Sequence, residues 1–146
     1  MQKCFNTIVF ISIFVFATYF TCFSQVHGEI FAKSEANKKF GPVLVSVSIP
    51  TGNLQSQLNK TENYIMFKIV NKSVIVLDNN RNVISPLGES ISTQDVFTLY
   101  SVSVLKDLLS RGDSSVIYVE QRSEVLSITY GGYTMEMGVF CPPFCG

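Results

Sequence analysis

Cys141 and Cys145 stand in Cys-Pro-Pro-Phe-Cys-Gly at the C-terminal end of the sequence, and paired thiols with prolines between them can do three things. They can form a structural disulfide, exchange with other thiols, or bind a soft metal. A reactive thiol needs its pKa lowered by a helix N-terminus or a neighbouring cation. Only Gly146 follows Cys145, and no basic residue lies within the last twenty positions. A metal would need at least one further soft or nitrogen ligand, and the single histidine, His27, stands near the other end of the chain. The expected state is therefore an intramolecular Cys141–Cys145 disulfide closing a five-residue ring. Redox or metal handling is the alternative, followed by free or intermolecular thiols.

Other residue types offer less. Met135 and Met137 would share a strand face, with Met66 nearby, but a methionine face usually fills core, so no metal is expected there. The acidic residues Asp78, Asp95, Asp107, Asp113, Glu120, Glu124 and Glu136 contain carboxylate pairs. A hydrolase would need two of them in different environments. Glu120 and Glu124 read as a charged hairpin tip with Arg122 between them, and Glu136 is expected in solvent. There is no GxSxG elbow, no Ser-x-x-Lys at a helix start and no Gly-rich phosphate loop, since Gly131-Gly132 fits a hairpin. No catalytic residue and no cofactor is expected. The strongest binding signal is aromatic: Tyr130 and Tyr133 flank Gly131-Gly132, and Phe140 and Phe144 bracket the cysteines. Such rings serve as anchors with large contact area, or they simply pack across the hairpin.

Composition sets the frame for these residues. The chain has 146 residues, 47% hydrophobic and 15% charged, with eleven basic and eleven acidic side chains. That suits one globular domain and gives no electrostatic footprint for nucleic acid. Sixteen of the first 24 residues are apolar, and residues 8–20 form a run of 13 behind Lys3. This is the pattern of a secretory h-region, with small residues placed for cleavage after Ser24 or, second, after Gly28. A retained anchor fits less well because even the run extended to Phe23 is only 16 residues, short of the roughly 20 that span a bilayer. A lipid-modified Cys22 lacks the usual preceding residues. The expectation is an exported protein, periplasmic or secreted, with no membrane span after cleavage and an unknown protein or surface ligand as partner. Asn59 and Asn71 lie in glycosylation sequons that count only in a eukaryotic secretory pathway.

Residues 25–42 show no sustained apolar period and read as a mobile lead-in to a domain over 43–140, followed by a cysteine clip at 141–146. Val43, Val45, Val47 and Ile49 alternate as in a half-buried strand. Residues 54–62 read as loop. Tyr64–Val70, Ser73–Asp78 and Val83–Ser85 form a meander, its first turn at Asn71-Lys72. A strand at 95–100 and a helix at about 102–111 follow, with Ser101 as N-cap, Gly112 past the end, and Val104, Leu105, Leu108 and Leu109 buried. Strands at 115–120, 124–130 and 133–140 complete a second meander, its last member a candidate sheet edge. The fold class is α+β: a single small domain with an antiparallel meandering sheet and one main helix, behind a cleaved signal peptide. No repeat suggests a solenoid.

Overall fold

A computed structural model describes residues 25–142. The leader, Phe144 and Cys145 lie outside the described residues. The fold is α+β and antiparallel throughout, with ten strands and three short helices among the described residues. The strands form two five-stranded sheets rather than one.

The lead-in is ordered structure: β1 (Glu29–Ala32) runs directly into α1 (Lys33–Phe40). Its periodicity is hard to see because only Ala36 of the helix is fully buried. Glu35 in the first turn and Lys38 and Lys39 in the last match the helix dipole, and the Phe31 and Phe40 rings meet edge to face at 5.5 Å. β2 (Val45–Pro50) keeps the expected alternation at Val47 and Ile49, while Val43 precedes the strand and Val45 is exposed, and it passes without a loop into α2 (Thr51–Leu58). Residues 54–58, expected as loop, belong to that helix. Gly52, Asn53 and Ser56 are poor helix formers, but burial of Thr51, Leu54 and Leu58 on one face overrides propensity.

β3 (Tyr64–Val70), β4 (Ser73–Leu77) and β5 (Val83–Ser85) are the first meander. Asn71 and Lys72 both have positive φ, 49° and 63°, as the favoured two-residue hairpin turn requires. β6 (Phe97–Ser101) leads into α3 (Val102–Ser110). Ser101 holds the N-cap position, but its hydroxyl accepts from the His27 N–H at 2.8 Å rather than from α3. Val102, Leu105, Leu108 and Leu109 are buried, with Val104 only partly so.

β7 (Val116–Gln121), β8 (Leu126–Tyr130) and β9 (Tyr133–Glu136) follow, and the last expected strand is split. Met137 takes a φ of 61°, and the chain crosses to the other sheet as β10 (Val139–Cys141). Gly138 makes the crossing sterically feasible, because a Cβ there would lie 2.5 Å from Thr98 Cγ2.

The first sheet has the order β1-β9-β8-β7-β2 and the second β10-β6-β3-β4-β5. They share one apolar core with α2 and α3, containing Phe67, Val76 and Tyr100 from the second sheet and Val119, Ile128 and Met135 from the first. The Tyr100 hydroxyl donates across it to the Leu126 carbonyl. A smaller apolar cluster of Met66, Leu77, Phe97, Leu99 and Cys141 covers the outer face of the second sheet.

The chain order hides a duplication. β2-α2-β3-β4-β5 and β6-α3-β7-β8-β9 are the same unit, a strand running straight into a helix and then a three-stranded meander. In each, the first strand leaves its own meander and pairs with the first meander strand of the other unit. Pro50 faces Val116, and Ser101 faces Tyr64. Thr51 N–H donates to the Ser115 carbonyl at 2.9 Å, and Val102 N–H donates to the Asn63 carbonyl at 2.9 Å. β1 and β10 lie outside the repeat and occupy the outer edges of β9 and β6.

Candidate functional site

The residues named from sequence separate in space. Tyr130 is a core residue, 3% exposed, with its hydroxyl donating to the Gly112 carbonyl at 3.3 Å. Tyr133 is 37% exposed and carries the Arg111 guanidinium 5.3 Å from its ring centre. The pair across the Gly-Gly turn is therefore one packing residue and one surface residue. Phe140 is 63% exposed on β10. Cys141 is buried, and its pairing with Cys145 falls outside the described residues. β9 is not an edge: β1 pairs along its outer side, and the residues that follow it, as β10, form one of the two edges of the second sheet, the other being β5. Met135 is buried in the shared core, Met66 belongs to the cluster on the second sheet's outer face, and Met137 is exposed, so the three methionines form no common face.

Glu136, expected in solvent, is fully buried, and so is Arg122; Glu120 is nearly so. Val119, Ile128 and Met135 point into the shared core, so the alternate residues Glu120, Ser127, Thr129, Thr134 and Glu136 line the opposite face of the first sheet, where α1 lies beside β1 and β9. Arg122 Nε donates to Glu136 Oε1 at 2.9 Å and to Ser127 Oγ at 3.0 Å. Its Nη1 donates to Asn37 Oδ1 of α1 at 3.0 Å and to the Gly41 carbonyl. Ser127 Oγ donates to Glu136 Oε1 at 2.6 Å, and Thr129 Oγ1 donates to Glu120 Oε2 at 2.7 Å. Glu120 Oε2 is 3.8 Å from Arg122 Nη2. Burial lifts the Glu136 carboxyl above the usual carboxylate range despite the opposing Ser127 and Arg122 contacts. The arrangement fastens α1 to the sheet. With these side chains shut away from solvent it offers no approach for a substrate, although alternating polar residues on β8 and β9 were a legible signal for a second, polar face.

Apart from an open hollow of about 490 Å³ between α2 and α3, lined by Leu58, Lys106 and Leu109 among others, two concave regions stand out among the described residues. One, of about 370 Å³, lies on the second sheet's outer face and is lined by His27, Tyr64, Met66, Leu99 and Cys141 among others. Among the described residues no three metal-ligating side chains converge, there or elsewhere. The other, of about 420 Å³, opens between the free edges of the two sheets. Ile49 and Pro50 of β2 form one wall, Val76, Ile84 and Ser85 of β4 and β5 the other, and Asn53, Leu54 and Gln57 of α2 the floor. Leu87, 83% exposed, stands at its rim. No charged side chain lines it, and no described strand pairs with the outer edge of β2 or of β5. Its volume is that of a ligand cavity, and a few polar groups, Asn53, Gln57 and Ser85, converge on an apolar wall. Sequence reasoning missed it because it depends on which strands end up at the edges. Comparison of the chain with protein-family models, with curated proteins and with solved structures found no match to any of them.

Proposed function

We propose that this chain is an exported, non-catalytic binding or accessory protein that meets its protein partner or surface ligand at the groove between β2 and β5. The observation that carries the reading is the combination there of an uncharged, largely apolar cavity with two sheet edges that no described strand covers. Edge strands present unpaired backbone groups, which ordinarily need blunting by charge, proline or cover. Pro50 blunts one end of β2, and Pro86 follows directly on β5, leaving the rest of both edges open. Export rests on the apolar run at 8–20, with cleavage after Ser24, and the oxidising destination supports a Cys141–Cys145 disulfide. No described helix is long and apolar enough to cross a membrane. The thiol-redox alternative gains nothing from Cys141, whose side chain is buried.

The test is site-directed photo-crosslinking of the exported chain, recovered with Gln25 as its first residue by N-terminal sequencing, in its native extract. A crosslinker at position 87 should capture one species, and Asn53→Trp, which fills the groove from an exposed helix position, should remove it. Capture that survives Asn53→Trp but is lost on replacing Tyr133 and Phe140 would move the contact to the C-terminal ribbon and overturn the proposal.

A further inference from the structure

Resting on that reading, we infer that the groove takes an extended polypeptide segment of a partner protein, added as a strand to the free edge of β5, with a small residue and, two positions later, an apolar residue turned toward α2. The duplicated architecture supplies the template, because the same groove occurs twice and is filled once.

In the second unit, Tyr100 and Met135 hold the places that Ile49 and Ile84 hold in the first. Tyr100 is the penultimate residue before its helix, as Ile49 is the residue before Pro50. Met135 faces Ile128 as Ser85 faces Val76, and Ile84, at the register shift beside Ser85, is the residue that packs on the shared core there. There the chain's own N-terminal segment closes the seam. His27 accepts from the Ser101 N–H at 2.9 Å, Gly28 lies against Tyr100 and Met135, and Ile30 packs on the shared core. β1 then pairs antiparallel with β9, from Glu29 opposite Glu136, through Ile30 opposite Met135, to Ala32 opposite Tyr133. Gly28 needs its lack of side chain, since its φ is 110° and an added Cβ would lie 3.1 Å from the Tyr100 ring.

In the first unit nothing among the described residues plays this part. Leu54 matches Leu105 on the helix, and the outer edge of β5 matches that of β9, but the equivalents of Tyr100 and Met135 line an open cavity. Its walls carry no charge, so the complementary occupant is uncharged on its inward face, as the N-terminal segment is at Gly28, just before β1, and at Ile30 within it. Backbone pairing with the sheet edge would give affinity and the two inward side chains selectivity.

A synthetic peptide of the sequence Val-His-Gly-Glu-Ile-Phe-Ala-Lys, copied from residues 26–33, is titrated into the isotope-labelled mature chain. The expected result is saturable binding, cross-strand NOEs to Val83–Ser85, and at least tenfold weaker binding both to Asn53→Trp and for the peptide carrying Asp in place of its Ile. Absence of binding overturns the inference, and so does perturbation confined to β9 and α3, which would mean exchange with the native β1. Self-association of the chain that Asn53→Trp abolishes also overturns it, in favour of a second copy as occupant. If the peptide fails while crosslinking at position 87 still depends on Asn53, the strand inference falls and the binding groove stands. If both fail, both fall.

Discussion

Arg122 and Glu136 carry the residue-scale energetics, because each is fully buried. Glu136 Oε1 is held by Arg122 and Ser127, and Arg122 also bonds Asn37 and the Gly41 carbonyl. Arg122 Nη2 and Glu136 Oε2 are buried without a hydrogen bond. A buried pair is weak evidence for net stability, but removing one member strands the other. Arg122→Met should cost about 3–5 kcal/mol at neutral pH by urea denaturation. The sign of the pH dependence follows from Glu136, whose folded pKa is raised by burial. As pH rises above the ordinary carboxyl value the unfolded chain loses its proton first, so stability falls until the folded value is passed and is level beyond it. Without Arg122 that folded value rises further. The loss in Arg122→Met should therefore be smaller at pH 4 than at pH 7, and an equal loss at both would mean that packing rather than charge is at stake. None of this is legible from Arg122 in its turn between two glutamates, which looks like any solvated hairpin tip. What conceals it is α1, whose covering position depends on β1 pairing with a strand about a hundred residues later in sequence.

At the scale of elements, the strands of the two meanders were legible because alternation and turn chemistry are local. The elements that were missed obey tertiary rules. α2 is held by two leucines and a threonine against the core, which a sequence window of poor helix formers does not reveal. The division of residues 133–141 into β9 and β10 turns on Met137 and Gly138, where the chain changes sheets. Gly138→Ala should destabilise by about 1–3 kcal/mol, because the added methyl meets Thr98 Cγ2 at 2.5 Å and Tyr100 Cζ at 2.6 Å, both held in the second sheet. Thermal denaturation checks this, and a variant as stable as the parent would mean that β10 can detach without loss. The groove follows the same rule: its residues are ordinary in sequence and become a site only because β2 and β5 end their sheets.

The whole molecule is two interlocked units, each lending its first strand to the other's meander. Neither half contains a complete sheet. Fragments 25–94 and 95–142 should each lack dispersed amide NMR signals alone and recover the native spectrum when mixed, and a half that folds unaided would refute the interlock. The pairing of Ile30 with Met135 has a further consequence during synthesis. β1 leaves the ribosome long before its partner has been translated, and β2 must likewise wait for β7. Contacts so distant in sequence form late and slowly, and an apolar strand without its neighbour is prone to aggregate. The β3-β4-β5 meander can pair as soon as it is made, but neither sheet can be completed until the strands of the second unit have been translated.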